Sequence, residues 1–486
     1  MTQTHDGLVK LALFFNLRIQ MLKIYNTLTA KKEEFVPITP GKVSMYVCGM
    51  TVYDYCHIGH ARVLVVFDIV SRYFRHIYGD ENVTYVRNVT DIDDKIIQRA
   101  NENNEHFLEL TKRFTQAMHE DSQALGVLPP DIEPKATEHI PEILSMIQTL
   151  VDKGIAYQAD NKDVFYQIDK FSEYGKLSKK NLDELQAGRR VGVEEAKRNP
   201  LDFVLWKAAK EHEPSWDSPW GKGRPGWHIE CSAMSTHCLN DHFDLHGGGL
   251  DLQFPHHENE IAQSEGCTGH KFVNYWMHNG FVKIDDEKMS KSLGNFFIIR
   301  DVLEVYAPEV IRYFILNSHY RSALNYSDDN LDKAKSSLSG LYNTLLDFAE
   351  EVEQFDNQNF DSESYAKEFY QAMDDDFNTP KAIAVLFEIS HEIHKASDKN
   401  EKIRLASMLK YLAGFLGVLQ QSPKEFLQTD VGQDAQLSVE EIKQLIKDRA
   451  DAKVHKNWAE CDRIRDLLLA DGVILEDGPE GTRWRR

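Results

Sequence analysis

Two short stretches carry side chains able to do chemistry together. The first, CHIGHAR at 56–62, sets His57 and His60 around Gly59. Paired imidazoles can donate hydrogen bonds to a phosphate whose charge grows in a transition state. Gly59 has no side chain, so an adenine or ribose could lie against the backbone there. The second stretch, EKMSKSLGNF at 287–296, carries Lys288 and Lys291 among Ser290, Ser292 and Gly294. Such a positive, donor-rich loop suits the gripping of a triphosphate and the release of pyrophosphate. Either motif alone is weak: the first also suits a plain helix start, the second a polar turn.

The surrounding elements must place these residues. VSMYVCG, 43–49, reads as a buried strand, and a loop follows through MTVYDYCHIG. HARVLVVFDIVSRYFRHIYG then has helical length and ends at Gly79. NVTYVRNVT reads as a second strand, and DIDDKIIQRANENNEHFLELTKRFTQAMHEDSQALG as one helix. The alternation predicts a parallel sheet with helices on its faces. The paired histidines then sit in a strand-to-helix turn, where open α/β sheets bind ligands and helix N-termini favour anions. LPPDIEP breaks the rhythm, and residues 120–220 read as an insertion. The sheet pattern returns in HFDLHGGG and KFVNYWMHNGFVKI. After about 320 the segments are amphipathic helices of bundle type, with a linker at QSPKEFLQTDVGQDAQ and a small strand–turn ending in GTRWRR.

HIGH followed much later by KMSKS is far more specific than either motif alone. With them stand MYVCGMTVYDYCHIGHAR, YVRNVTDIDDKI, RPGWHIECSAM and HGGGLDLQFPHHENEIAQSEG. Together these motifs resemble the class I aminoacyl-tRNA synthetases and, among them, the cysteinyl-tRNA synthetases. The resemblance runs from about Met21 to the terminal GTRWRR. It implies a Rossmann-like α/β parallel-sheet catalytic domain with an insertion, then a helical bundle and a small C-terminal α+β domain. The expected boundaries are an N-terminal extension at 1–20, catalytic halves at 21–120 and 221–325, and an insertion at 121–220. A tRNA-binding bundle at 326–425 and an anticodon-recognition domain at 426–486 follow. Met21 is the expected original start, because residues 1–20 match nothing in the family.

The implied reaction is ATP-dependent activation of cysteine to cysteinyl-adenylate, then transfer to the 3′-terminal adenosine of tRNA(Cys). His57 and His60 would stabilise the α-phosphate transition state, and Lys288 and Lys291 would hold the leaving pyrophosphate. Gly59, His57, His60 and Lys291 would form the ATP site. Thr90, Trp227 and His246 would line the substrate and adenylate pocket. Mg²⁺ would accompany ATP.

Cys48, Cys231, His256 and Glu260 offer two thiolates, an imidazole and a carboxylate. In FPHHENEIAQSEG, Pro255 suits a first helical turn and Gly266 a stop, which would set His256 and Glu260 four apart on one helix face. Dispersed ligands without CxxC pairs fit an active-site zinc better than a structural clip. Chemistry alone leaves His256 and His257 open, and the family pattern selects His256. The resemblance maps Cys48, Cys231, His256 and Glu260 onto the family's zinc ligands, one Zn²⁺ per chain. Four protein ligands fill a tetrahedral site, so the substrate thiolate would enter as an extra ligand or loosen one, with Glu260 the expected one.

The bulk numbers exclude some alternatives. The chain has 486 residues and net charge −21, from 77 acidic and 56 basic residues, which argues against a nonspecific nucleic-acid binder. No apolar run reaches the roughly 18 residues of a membrane helix, and no secretory cleavage site follows the N-terminal apolar stretch. A cytoplasmic monomer is expected. The six cysteines read as thiols, metal ligands or core rather than disulfides. Two rival functions are weighed. A ligase joining cysteine to an amino sugar would keep both motifs and the zinc but has no need of residues 427–486. An inactive tRNA-binding regulator has no need of both motifs and all four ligands.

Overall fold

The computed structural model describes residues 22–180, 196–211, 213–284, 287–288, 296–354, 360–428, 437–478 and 481–485. Residues 1–21 lie outside them, so the extension and Met21 have no structural account.

The described residues fall into two units. One runs to Phe296 and adds His319–Leu324 and Ala372–Asn378. Its centre is a four-stranded parallel sheet of β1 (Val43–Val47), β2 (Val83–Arg87), β3 (Phe243–Gly249) and β4 (Val273–Asn279), in the order β4–β3–β1–β2. Every residue of β3 is buried, as expected for a central strand covered on both faces. The helix α1 (Ile58–Tyr78) follows β1 and buries Ala61, Leu64, Val65, Ile69 and Phe74. It ends at Gly79, whose φ of 92° is open to glycine at little cost. Helix α2 (Trp227–Leu239) precedes β3, and helix α3 (Glu258–Thr268) joins β3 to β4.

Helix and sheet meet without a spacer at Gly247 of β3. A Cβ there would lie 2.2 Å from Phe67 Cε1 on α1. Gly247→Ala is therefore expected to destabilise the chain by about 1–3 kcal/mol, the usual size of an overpacked core. A lower urea midpoint at unchanged slope checks this; an unshifted midpoint would show that Phe67 can yield.

Between the two halves of the sheet, four short strands form an antiparallel sheet in chain order: Ala156–Gln158, Val164–Tyr166, Phe203–Ala208 and Gly223–Pro225. Its side chains share a core with Ile143, Ile147 and Leu150, and with Ile229 and Ala233 of α2. The segment Ala372–Asn378 belongs to this unit through Asp376. Its carboxylate accepts from the Tyr25 amide at 2.8 Å, the Tyr320 hydroxyl at 2.6 Å and Arg321 Nε at 2.8 Å.

The other unit is mostly helical. It includes Asp328–Leu346, Thr379–Lys395 and Lys399–Phe415, and later Val439–Val454 and Trp458–Ala470. An antiparallel hairpin, Ile474–Gly478 with Gly481–Arg485, closes it. Ile442, Ile464, Leu468, Val473 and Trp484 form a small core there. Arg449 bridges the hairpin with two bonds to Asp477, at 2.8 and 3.0 Å. Trp458 is 60% exposed.

Three expectations need correction. The stretch after β2 is two helices, Asp94–Asn103 and Phe107–Ala124, not one. Asn104 breaks it in a left-handed conformation (φ 54°), which asparagine tolerates better than most residues. The second correction concerns the turn before α3. Phe254 is extended (φ −143°, ψ 130°), as residues before proline tend to be, so regular helix starts at Glu258 rather than Pro255. Gly266 does not stop that helix. A Cβ there would meet the Tyr166 hydroxyl at 3.0 Å, while the stop is Gly269 at φ 78°.

Candidate active site and metal centre

Cys48 and Gly49 follow β1 directly. The Cys48 amide donates to the Gly247 carbonyl at 3.0 Å, which continues the β1–β3 ladder by one residue. Gly49 crosses the backbone of Asn88 so closely that a Cβ would lie 1.6 Å from the Asn88 carbonyl oxygen. Cys48 is thereby held beneath the start of α1. Cys231 comes from α2, and Glu260 from the first turn of α3.

These groups converge. Cys48 Sγ lies 3.5 Å from Cys231 Sγ and 3.3 Å from Glu260 Oε1. Glu260 Oε1 is 3.1 Å from His256 Nε2, and its Oε2 is 2.9 Å from His246 Nε2. The donor atoms of Cys48, Cys231, His256 and Glu260 all lie within 4.8 Å of one another, and all four residues are buried. His256 thus meets Glu260 although it lies in the turn before α3. A second donor set, Cys48, His246, His257 and Glu260, meets the same criterion and shares two members with the first.

Burial and the close contacts shift how these groups hold their protons. The Cys48 thiol donating to Cys231, against the opposing effect of burial, brings the Cys231 thiol down to about 6. Burial, with Cys231 and Glu260 adding to it, pushes the Cys48 thiol well up. Burial opposes charge on His256, yet Glu260 and Cys231 hold it up to about 10. Burial also opposes charge on Glu260, but His246 and His256 keep its carboxyl well below the usual range. The outer imidazoles behave differently. Burial pushes His257 and His228 well down, and His278 to about 3. His228 Nδ1 sits 3.0 Å from His256 Nδ1, leaving Nε2 of His256 as the nitrogen turned to the cluster. His257 Nδ1 is 2.8 Å from His278 Nε2, whose Nδ1 reaches the Thr27 hydroxyl at 2.9 Å.

A cavity of about 300 Å³ opens over the cluster. Cys48, Cys231 and His256 face it, together with Gly59, His60, Thr90 and Trp227. The Trp227 ring stands 4.4 Å from the His256 ring and is 38% exposed. His57 caps α1; its amide donates to His60 Nδ1 at 3.2 Å, and the two rings stack at 3.7 Å. A neutral His60 therefore carries its proton on Nε2, as a donor. His57 is not among the residues lining the cavity.

His246 lies elsewhere than the sequence suggested. It is fully buried, stacks on Trp276 at 4.5 Å and bonds Glu260 from below instead of lining the cavity. Its position in mid-β3 explains this, since every side chain of that strand is covered. Lys288 has its backbone in a short strand paired with Lys283. Its side chain, and all of Lys291, lie outside the described residues.

The sequence had also not singled out Tyr53, Lys95, Asp251 and Asn279, which line the same cavity. Lys95 stood within the quoted motif YVRNVTDIDDKI, but a lysine in a helical run carries no signal of its own. Arg62 was missed as well. Fully buried, it donates to the Phe281 carbonyl at 2.8 Å and the Tyr320 carbonyl at 3.0 Å. It thus fixes the cavity wall at Phe281 to the helix that carries His60.

Comparison with known proteins agrees with this geometry. Residues 34–336 match the family described as tRNA synthetases class I (C) catalytic domain, and residues 368–420 match the DALR domain. The cysteine–tRNA ligase of Methylococcus capsulatus is 62% identical over 468 residues, covering 96% of this chain and all of the relative. That of Thioalkalivibrio sulfidiphilus is 60% identical over 468 residues, with the same coverage. Among solved structures, a Mycobacterium tuberculosis methionyl-tRNA synthetase with methionyl-adenylate aligns at TM-score 0.51 and 15% identity. The alignment covers 81% of this chain and 92% of that one. An Agrobacterium radiobacter LeuRS–tRNA–LeuAMS complex aligns at TM-score 0.57 and 11% identity, over 81% and 85%. The distant structures establish the class I synthetase fold. A parallel sheet with a histidine-bearing helix start, together with identity at this level over nearly the full length, makes this chain a member of the cysteine–tRNA ligase family.

Proposed function

We propose that this chain activates cysteine with ATP in the cavity above Cys48 and Cys231 and transfers it to the 3′-terminal adenosine of tRNA(Cys). The observation that carries this reading is that one cavity holds both the start of α1, with Gly59 and His60, and two thiols beside an imidazole and a carboxylate. The first feature suits a nucleotide phosphate; the second suits a thiol-binding metal.

The donor set fits zinc. Two sulfurs, a nitrogen and an oxygen are the ligand types Zn²⁺ takes, and all are buried and within reach of one ion. Cys48, Cys231, His256 and Glu260 would hold it, with His228 orienting His256. When bound, Zn²⁺ supplies a thiophilic Lewis acid that favours a thiol over a hydroxyl. The chain's own residues do the rest. His60 Nε2–H donates toward the α-phosphate as charge develops, and Gly59 lets the nucleotide approach α1. His57 orients His60 through its amide and stacked ring. Lys288 and Lys291 hold the pyrophosphate that leaves with Mg²⁺. Thr90 and Trp227 bound the amino-acid pocket. The DALR region and the closing hairpin unit recognise tRNA, and the protein works as a cytoplasmic monomer. No helix among the described residues is long and apolar enough to cross a membrane.

The test combines ATP–pyrophosphate exchange driven by cysteine with charging of tRNA(Cys) by labelled cysteine. Both are expected. Exchange without charging, with an amino sugar accepting cysteine instead, would establish the rival ligase. Neither activity would establish the inactive regulator.

A further inference from the structure

One cation of the cavity has no part in the chemistry so far. Among the described residues that line the cavity, Lys95 is the one lysine or arginine. It is exposed, on the first turn of the helix Asp94–Asn103. Its ammonium stands 5.4 Å from the centre of the Tyr53 ring, within cation–π range. Tyr53 lines the same cavity. The acidic residues just before Lys95 are engaged elsewhere. Asp93 Oδ1 accepts the Lys95 amide at 2.8 Å and so caps the helix. Asp94 accepts from Lys207 Nζ at 3.0 Å and also from Arg224. Lys207 and Arg224 lie on the last two strands of the insertion sheet, so they neutralise Asp94 and fix the helix start together.

The sheet separates Lys95 from the nucleotide crevice. In the order β4–β3–β1–β2, the chain first passes from β1 to β2 and later returns to β3 on the other side of β1. The switch point therefore lies between β1 and β3, where open α/β sheets take nucleotides. Lys95 follows β2, on the opposite side of β1. There Thr51 and Thr90 form a parallel bridge. The Thr90 amide donates to the Met50 carbonyl at 3.1 Å, and the Val52 amide to the Thr90 carbonyl at 3.2 Å. These bonds lace the loop that carries Tyr53 to the strand end that leads to Lys95.

We infer that Lys95, held by Tyr53, binds the phosphate of the 3′-terminal nucleotide of tRNA where it enters the cavity. Three reactants bring negative charge. The ATP phosphates belong to the start of α1 and to Lys288 and Lys291 in the proposed function. The cysteine carboxylate must attack phosphorus with one oxygen, and a lysine paired with it would stabilise the ground state that has to be left. The terminal RNA phosphate keeps its charge throughout the transfer and arrives from solvent, where Lys95 is exposed. A chain of net charge −21 also needs a local cation where RNA enters. This inference rests on the proposed transfer of cysteine to tRNA in this cavity.

The experiment compares full-length wild type with Lys95→Gln on two RNAs: intact tRNA(Cys), and the same tRNA lacking its terminal adenylate residue. Equilibrium binding is measured from low to moderate salt. Wild type is expected to hold the intact tRNA about tenfold more tightly at low salt, the worth of one charge-assisted contact. Lys95→Gln should lose most of that preference and bind the shortened tRNA as wild type does. For the intact tRNA, its plot of log K against log salt should be shallower by about 0.7, the share of one phosphate on a single strand. Lys95→Arg keeps the charge and should restore most of the preference. In kinetics, the KM for tRNA in charging should rise well beyond any rise in the KM for cysteine in pyrophosphate exchange. Equal weakening of both RNAs by Lys95→Gln would overturn the inference. So would an undiminished preference in that variant, or a wild type indifferent to the terminal nucleotide. A cysteine KM that rises as much as that for tRNA would give Lys95 to the amino-acid carboxylate and overturn it too. A wild type that neither exchanges pyrophosphate nor binds tRNA(Cys) removes the proposed function itself, which separates the two failures.

Discussion

Cys231→Ala is expected to lower cysteine-dependent pyrophosphate exchange by orders of magnitude and to empty the metal centre. Cys231 is 2% exposed, and its sulfur sits 3.5 Å from that of Cys48. Alanine removes one sulfur from α2 while leaving the packing of Ile229 and Met234, both 0% exposed, in place. Taking one member from a buried polar cluster costs about 3–5 kcal/mol, because the others stay desolvated without it. That cost falls on the fold; the rate loss comes from losing the ion that would hold the substrate thiol, expected at about 10²–10³-fold, the size of one deleted transition-state contact. Metal analysis and exchange kinetics read the two effects separately. Full metal content with near-normal exchange would mean that the ion is held by Cys48, His246, His257 and Glu260 instead, the set that leaves Cys231 out.

The second large effect is a preference for cysteine over serine of about 10⁴-fold or more in pyrophosphate exchange, the scale that accurate translation needs. Serine differs only by oxygen for sulfur. A pocket that merely matched shape and apolarity would separate such pairs by about 10–200-fold. The cavity is instead faced by two thiols and an imidazole, with the Glu260 carboxylate within reach of them, a donor set suited to a soft ion that tells sulfur from oxygen by bonding. Chelator-treated protein is expected to lose activation of cysteine far more than it loses ATP binding. The antiparallel insertion sheet has strands of only three, three, six and three residues, a small frame for a separate correcting site. Seryl-tRNA offered to the enzyme should therefore stay acylated. Serine activated within about a hundredfold of cysteine, or rapid loss of the seryl group, would defeat this account.

Much of this was legible in the sequence because its signals are local. β-Branched runs and a glycine stop marked β1 and α1, and the paired histidines fell at the junction between them. Three kinds of feature were not legible. Single-residue backbone states escaped periodicity, as with Asn104 splitting one expected helix and Phe254 delaying α3. A glycine near a helix end looked like a stop, whereas Gly266 is there to let Tyr166 approach. Contacts across the sheet left no trace along the chain. Nothing in HFDLHGGG says that His246 bonds Glu260 instead of lining the cavity, and nothing in GWHIECSAM says that Glu230 is fully buried while its helical neighbours Trp227 and Cys231 line the cavity. Such placements depend on which strand pairs with which, and here β1 pairs with β3 about 200 residues away.

That pairing has a consequence for how the protein is made. Cys48 leaves the ribosome 183 residues ahead of Cys231 and 212 ahead of Glu260. At about 5–20 residues per second, the wait for the last donor is about 10–40 s. Throughout that interval the nascent first half has neither the strand that covers β1 nor the ligands that complete the cluster. On the proposed zinc reading, metal loading is thus a late event in biogenesis, timed by translation of the insertion, and the supply of zinc would matter to the finished chain rather than to its emerging half.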